Sequence, residues 1–365
     1  MGGCCASLAG ARPMRRRCWP QSRAEAKVAD KLSQPILTRE GGAKPPAQSR
    51  RAMLASFTSG YSTALVVVAL FLFYSLTSAR FFGVDNAQNI LDQMATVGVL
   101  GIGMTIVVLI GGIDLSVGSV TLLTGGISGT LVGAQLPVWL AISGGLAAAI
   151  LVGLINGLLV VKFGINPVIV TLGTLIAVRG VGQAILWINN SWVWVTDPFF
   201  VYIASARWLF IPLSAVIMLG LYLIAALLLK QTRFGREVYA IGGNQWAAYL
   251  CGLPVARVKI TAFVLCSCFA GIAGLLTAAH TGVVNPSFGS GLEFDTITAV
   301  VLGGASLRGG VGRVERTLLG AAILAMTLNY LTLRGVEDVW QTTVSGFLVL
   351  AAIVLDRLAR RAQEG

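Results

Sequence analysis

The stretch Pro137–Val161, PVWLAISGGLAAAILVGLINGLLVV, contains no charged residue over its whole length. A helix that crosses the hydrocarbon core of a bilayer needs about 20 mostly apolar residues. Similar apolar windows occur at Ala64–Ser78, Leu209–Leu229 and Ile260–Ala279. The sequence therefore predicts a chain that crosses a membrane several times.

The composition supports this prediction. Of the 365 residues, 56% are hydrophobic and only 12% are charged, whereas a soluble protein carries about a quarter of its residues charged. The 44 glycines also fit, because small residues let membrane helices approach one another closely. We expect an all-α membrane protein, a polytopic bundle of about ten transmembrane helices.

The ten predicted spans are 60–79, 94–110, 115–135, 138–161, 166–186, 209–229, 259–280, 294–307, 317–333 and 340–356. An even number of spans places both termini on one side of the membrane. Two halves of five spans would then have opposite topology, which is the arrangement of an inverted 5+5 repeat. The internal similarity of the sequence does not establish that repeat.

The distribution of basic residues predicts which segments lie on the inner and outer sides of the membrane. With both termini inside, all but four of the 27 Lys and Arg lie on the inner side; the exceptions are Arg80, Arg207 and Arg334 outside and Arg179 within a span. An excess of Lys and Arg in cytoplasmic segments is the usual pattern of multi-pass proteins. The net charge of +12 therefore indicates topology rather than nucleic-acid binding.

The predicted organisation has three parts. Residues 1–57 are polar and rich in Pro and Arg, which is typical of a disordered segment and here of a basic cytoplasmic tail. Residues 58–358 form the transmembrane domain, with a long inner loop at 230–259, and 359–365 form a second cytoplasmic tail. None of the six cysteines lies in a segment placed outside, so we expect no disulfide. The single His280 favours a helix-end residue over a catalyst, and we expect no metal site.

The inner loop contains a short helix with both ends marked. Asn244 can cap its N-terminus, Gly252 suits the left-handed position after the last turn, and Pro254 prevents continuation. Trp246, Tyr249 and Leu250 share one face of this helix.

A two-turn helix is too short to be stable alone, so it must lie against something. The groove of a partner protein is one candidate. The membrane surface together with the protein's own helix ends is the other, and the residues leave both open.

The stretch Gly235–Gly252, GREVYAIGGNQWAAYLCG, resembles the cytoplasmic coupling loop of bacterial sugar permeases. The resemblance is to the ribose, xylose, arabinose and galactose group of binding-protein-dependent ABC transporters. Three further segments match in order: GGIDLSVG at Gly111–Gly118, GLLVVKFGINPVIVTLG at Gly157–Gly173 and VLGGASLRGGVG at Val301–Gly312. The resemblance covers residues 60–358 and does not distinguish among the sugars.

The resemblance implies a permease homodimer in the bacterial inner membrane, a cytoplasmic ATP-binding-cassette ATPase and a periplasmic sugar-binding protein. ATP and Mg²⁺ would be bound by the ATPase and no cofactor by this chain. The sequence agrees, because it contains no Gly-x-x-x-x-Gly-Lys-Ser/Thr loop for ATP phosphates. We expect no catalytic residues. The residues implied in ATPase coupling are Gly235, Arg236, Glu237, Gly242, Gly243, Asn244, Trp246, Ala247, Ala248 and Gly252.

Asp114 is the most conspicuous polar residue, because it follows the Gly111–Gly112 interruption of an apolar run. It could bind sugar hydroxyls, form a proton or sodium site, or cap the helix beginning at Leu115; Arg179 is a candidate partner. The polar residues that could line a translocation path are Asp114, Asn156, Asn166, Thr171 and Asn329. Hydrogen bonds between helices are an equally good reading of them.

Several further interpretations remain open. An ion-coupled secondary transporter of a small polar solute would use Asp114 and need no ATPase, and a scaffold or sensor would use the basic segments to recruit partners. The glycines between Gly303 and Gly312 favour a tight cytoplasmic turn. The aromatic residues between Trp187 and Trp208 suit an interfacial belt or the docking of a binding protein.

Overall fold

A computed structural model describes residues 50–188 and 190–364. Residues from Ser56 onward form one compact unit. The predicted tail at 1–57 lies outside the described residues, except for 50–57, which belong to the first helix. Cys4, Cys5 and Cys18 also lie outside them.

The described residues form thirteen helices and four two-residue strands. The helices are α1 Arg50–Thr77, α2 Val84–Leu109, α3 Val117–Gly133, α4 Val138–Lys162, α5 Pro167–Trp187, α6 Pro198–Ser205, α7 Leu213–Gln231, α8 Arg233–Gly243, α9 Gln245–Leu250, α10 Val255–Thr281, α11 Leu292–Leu302, α12 Val314–Leu333 and α13 Asp338–Glu364. The strands are β1 Val193–Trp194, β2 Arg207–Trp208, β3 Ile211–Pro212 and β4 Val283–Val284.

Each predicted span overlaps one of these helices. Six helices in the described part of the chain, namely α2, α4, α5, α7, α10 and α12, are long and apolar enough to cross a membrane. The structure therefore agrees with a polytopic membrane protein. The count of ten crossings remains a prediction.

The limits of several predicted spans differ from those of the helices. α1 begins at Arg50, ten residues before the predicted 60, and α13 ends at Glu364 instead of 356. α2 begins at Val84, ten residues before the predicted start at 94, because polar residues such as Asp85, Asn86 and Asp92 lower the hydropathy of its first turns. α11 ends at Leu302 instead of 307, because the backbone turns at Gly303–Gly304. Its eleven residues extend only about 16 Å, roughly half of the hydrocarbon core.

The centre of the bundle is α10, which packs against α2, α3 and α4. Gly153 and Gly157 bring α4 close to it. A Cβ atom added at Gly157 would lie 2.9 Å from the Cα atom of Ile260, and one at Gly153 would lie 2.7 Å from the carbonyl oxygen of Phe263. Two small residues four apart allow this approach of helix backbones.

The outer faces of the bundle are apolar. Ile169 and Ile176 on α5 and Leu223 on α7 expose between 63% and 70% of their surface. A lipid environment accounts for this exposure, since water would disfavour so much apolar surface.

Loops that we predict on one side of the membrane meet at one end of the bundle. At the outer end, β1 pairs with β4 in an antiparallel ladder, with Val193 opposite Val284. At the inner end, the α2–α3 connection, the C-terminus of α8 and the α11–α12 connection contact one another. The paired ends agree with the alternation of predicted inner and outer loops.

Gly157→Ala tests the close packing of α4 on α10. We expect it to lower the free energy of unfolding by about 1–3 kcal/mol, because the new methyl group meets the backbone of α10. Gly173→Ala on α5 is the matched control, since a Cβ atom there meets nothing within 4 Å. Denaturant titration in detergent measures both variants, and equal stability would contradict the packing argument.

Candidate functional site: the inner loop and the paired helix breaks

The inner loop consists of two helices. α9 is the predicted short helix: the Asn244 Oδ1 atom accepts a hydrogen bond from the Ala247 backbone N–H at 3.0 Å, and Gly252 has a φ of +77°. Both predicted ends are confirmed. The sequence reading missed α8, although Thr232 accepts from the Gly235 N–H at 3.3 Å as its cap and its apolar residues Val238 and Ile241 are buried.

α8 meets two other inner segments through backbone atoms. The Gly310 N–H donates to the Leu109 carbonyl oxygen at 2.8 Å. Gly242 lies on this pair, because a Cβ atom added there would collide with the Leu109 oxygen and the Gly310 nitrogen. We call Leu109, Gly242 and Gly310 the inner seam.

Side chains hold α8 at the inner seam. The Tyr239 hydroxyl donates to the Gly312 carbonyl oxygen at 3.0 Å, and Lys230 at the end of α7 forms an ion pair with Glu315. Burial raises the pKa of Tyr239, and the nearby Glu315 carboxylate raises it further. The positive charge of Arg313 opposes this shift only in part. Its hydroxyl therefore keeps the proton that it donates.

The predicted coupling residues on α8 lie in different environments. Glu237 is buried and pairs with Arg233, with 2.9 Å between Nε and Oε1. Arg236 is exposed and donates to the Gln231 carbonyl oxygen at 3.4 Å. Gly235 packs against the Leu229 backbone, whereas Gly243 has open space around it.

α9 presents an uncovered apolar face. Trp246, Tyr249 and Leu250 expose 69%, 62% and 68% of their surface. The rings of Trp246 and Tyr249 stack at 5.8 Å between centroids. Ala248 is buried beneath this face and Ala247 is exposed. A face of this kind, held on a capped helix, can receive the groove of another protein.

Asp114 fixes the backbone turn of the first helix break. Its Oδ1 atom accepts from the backbone N–H of Ser116 at 2.9 Å and from the Ser116 hydroxyl at 2.6 Å. The Asn156 amide donates to the same hydroxyl at 3.0 Å. Asp114 and Asn156 are completely buried. α3 begins at Val117 and not at Leu115, and Ser116, not Asp114, occupies its N-cap position. Of the three readings of Asp114, the cap is therefore wrong in detail, and the geometry favours a structural role in which the carboxylate fixes the turn before α3.

The second break repeats this arrangement. The segment Leu302–Arg308, LGGASLR, aligns with Ile110–Ser116, IGGIDLS. The Ser306 hydroxyl accepts from the Arg308 backbone N–H at 3.2 Å, as Asp114 does from Ser116. The shared Gly-Gly-x-x-Leu pattern is a sequence signal for two related breaks that our sequence analysis did not use.

The other path candidates are distributed along the chain. Thr171 donates to the Pro167 and Ile113 carbonyl oxygens, at 2.9 and 3.3 Å, and so lies beside the first break. Asn166 is the exposed N-cap of α5, accepting from the Val168 N–H at 2.9 Å. Asn329 is buried in α12.

Arg179 is not the partner of Asp114. It donates to the Gly289 carbonyl oxygen at 3.4 Å, because the turn of α5 that carries it faces the loop before α11.

A polar cluster at the outer end was missed by the sequence analysis. The buried Asp92 carboxylate accepts from Ser214 and faces Arg207 and His280, with 3.6 Å to Arg207 Nη2 and 4.0 Å to His280 Nδ1. His280 lies in the last turn of α10, as predicted. These four residues come from separate segments, so no local pattern joins them. Within 50–188 and 190–364, no three His, Cys, Asp or Glu residues group closely enough to hold a metal ion.

Residues 86–353 match the protein family described as "branched-chain amino acid transport system / permease component". The chain belongs to this permease family. The matched segment includes both helix breaks, the inner seam and α9. It lies within the 60–358 of the sequence resemblance.

The names of several curated relatives of this permease specify sugar transport. The ribose import permease protein RbsC of Escherichia coli (strain K12) is 35% identical over 311 residues, which cover 84% of this chain and 96% of RbsC. The L-arabinose ABC transporter permease protein AraH of Azospirillum brasilense is 35% identical over 296 residues, covering 81% and 87%. The D-allose transport system permease protein AlsC of Escherichia coli (strain K12) is 33% identical over 306 residues, covering 83% and 93%. No solved structure matches.

These matches confirm the resemblance. The chain is a sugar ABC transporter permease of the ribose group, and its apolar helices place it in the inner membrane as a multi-pass protein.

Substitution of Asp114 distinguishes a structural hydrogen-bond acceptor from an ion site. Asp114→Asn keeps an oxygen that accepts from Ser116, so we expect near-normal stability and uptake. Asp114→Ala leaves buried donors without an acceptor and should cost about 1–3 kcal/mol of stability. Thermal unfolding in detergent and sugar uptake in cells measure both. Loss of uptake in a stable Asn variant would contradict the structural role.

Proposed function

We propose that this permease is the membrane subunit of an ATP-binding-cassette importer. It passes a monosaccharide, a pentose or a hexose, from a periplasmic binding protein into the cytoplasm, driven by ATP hydrolysis on a separate ATPase subunit. The chain itself carries out no covalent chemistry, and ATP and Mg²⁺ bind to the ATPase. The names of the relatives, which handle ribose, arabinose and allose, support the sugar class.

The observation that carries this proposal is the exposed face of α9. Trp246, Tyr249 and Leu250 form an apolar patch at the inner end of the bundle, on a helix capped by Asn244 and set beside the inner seam. Large aromatic residues in such a patch are typical anchors of protein interfaces. The sequence left a partner's groove and the membrane surface open, and the family membership favours the groove of the ATPase.

The inner seam links the proposed docking helix α9 to the two helix breaks. Because α8 contacts Leu109 and Gly310 through backbone atoms, movement of α8 and α9 with the ATPase displaces both helix breaks. The breaks in turn orient α3 and α12. This is how ATP-driven movement would reach the membrane helices of a permease homodimer.

The complete topology is also part of the proposal. Ten crossings with both termini cytoplasmic account for the charge distribution, and two halves of five crossings would have the opposite topology of an inverted repeat. α11 together with the turn that follows it provides the short eighth crossing. The broken backbone is tolerated because protein covers it.

Truncation of the α9 face tests ATPase docking. We expect Trp246→Ala with Tyr249→Ala to weaken association with the ATPase at least about thirtyfold and to abolish sugar uptake, because interface anchors are worth about 2 kcal/mol or more. The complex is purified from its own host, and the ATPase is identified by mass spectrometry of its P-loop peptides.

Trp340→Ala is the matched control, since Trp340 is 64% exposed at the start of α13. It should leave ATPase binding unchanged. Full ATPase recovery with the α9 double variant, when that variant is folded and inserted, would show that docking occurs elsewhere.

Thiol labelling tests the sidedness. In a cysteine-free background, we introduce either Cys251 alone or Thr196→Cys, both at exposed positions. A membrane-impermeant maleimide should label position 196 in cells whose outer membrane alone is permeabilised, and position 251 only after the inner membrane is opened. The reverse pattern would place α9 outside and exclude ATPase docking.

The alternative of an ion-coupled transporter rests on Asp114. Its carboxylate is buried and accepts two hydrogen bonds from Ser116, so we assign no ion to it. Uptake that persists in ATP-depleted vesicles with an ion gradient would favour the alternative.

A further inference from the structure

A cleft opens at the inner end of the bundle, beside the α9 face and sharing Tyr249 with it. It lies between the end of α4, the start of α5 and the α9–α10 connection, and its volume is about 730 Å³. Its walls include Ile165, Asn166, Tyr249, Leu253, Arg257 and Lys259. Neither the helix breaks nor the inner seam contributes to it.

The cleft carries positive charge without a counter-charge. Arg257 and Lys259 line it, and no Asp or Glu does. Lys259 Nζ donates to Gln245 Oε1 at 2.6 Å, so a neutral amide positions this ammonium group over the cleft. Among the described residues, neither cation forms an ion pair with a carboxylate. Two cations of one sign in a concave site attract an anion.

Most of the remaining wall of the cleft is apolar, although Asn166, Gln245 and Tyr249 also line it. Val160, Ile165, Leu253 and Val255 line it, and the neighbouring lipid-facing surface of α4 continues with exposed leucines such as Leu158. A soluble anion would leave this apolar surface uncovered. A ligand with an anionic head and hydrocarbon chains matches both parts.

The position of the cleft fits such a ligand. Lys162 ends α4 and Val255 begins α10, so the cations lie at the depth where the apolar helices end on the predicted cytoplasmic side. Phospholipid headgroups occupy this depth, and basic pockets between membrane helices on this side bind anionic ones.

We propose that this cleft binds one anionic phospholipid of the inner leaflet. The phosphate lies against Arg257 and Lys259, and the acyl chains run along α4 towards Leu158. This binding is independent of the transport function proposed above. Because Tyr249 and Gln245 belong to α9 and also line the cleft, the bound lipid contacts the helix that carries the exposed aromatic face.

Lipid titration of the full-length permease tests the proposal. The protein is prepared in phosphatidylcholine nanodiscs, phosphatidylglycerol is added, and bound lipid is counted by native mass spectrometry. Arg257→Gln with Lys259→Gln should bind phosphatidylglycerol about thirtyfold more weakly than the wild type, because each basic residue near the surface contributes about 1 kcal/mol.

Two controls make the result specific. Arg80→Gln with Arg334→Gln removes two exposed cations from the opposite end and should leave this binding unchanged. The exchange Arg257→Lys with Lys259→Arg keeps both charges and should retain binding, which separates loss of charge from misfolding.

Two results would overturn the proposal. Equal phosphatidylglycerol binding by the wild type and the double Gln variant would remove the cleft as the site. Displacement of the lipid from the wild type by inorganic phosphate would assign the cleft to a soluble anion. Both readouts are independent of sugar transport, so failure of the proposed function would leave them unaffected.

Discussion

A backbone that is broken within a membrane protein must have its free N–H and C=O groups bonded inside the protein. The permease meets this requirement by joining its two breaks. The carbonyl of Leu109, at the end of α2, accepts from Gly310 in the second break, and Asp114 accepts from Ser116 within the first. The helices on either side of each break are therefore positioned by the other break. The positions of α8 and α9 depend on the same contacts.

The sequence predicted those parts of the fold that depend on local patterns. Apolar windows located the long helices, because lipid requires about 20 apolar residues in succession. Asn244 and Gly252 predicted the ends of α9, since caps are properties of neighbouring residues. The early start of α2 was missed because Asp92 is polar, yet it is buried against Ser214 and beside Arg207, which come from distant segments. A hydropathy average over neighbouring residues does not include contacts between residues that are distant in sequence.

The candidate site was predicted less completely, for the same reason. Family resemblance assigned Gly242 to the coupling loop, but the physical role of this glycine depends on Leu109 and Gly310, which are remote in sequence. Arg179 was the natural guess as a partner for Asp114 on charge alone. The fold instead directs it to the Gly289 carbonyl. α8 was treated as a loop because eleven residues with several charges give no apolar window.

The inner seam and the polar cluster around Asp92 differ in the atoms that make their contacts. At the outer end, polar side chains meet around Asp92, and a side chain can change rotamer to absorb a small displacement. At the inner seam, Gly242 offers no side chain and touches backbone directly. A fraction of an ångström at α8 must either be passed on to both breaks or rupture a hydrogen bond, as close-packed interiors transmit strain. The backbone contact at Gly242 therefore absorbs a displacement less readily than the side-chain contacts around Asp92 do, so the position of α8 and the positions of both helix breaks are closely coupled.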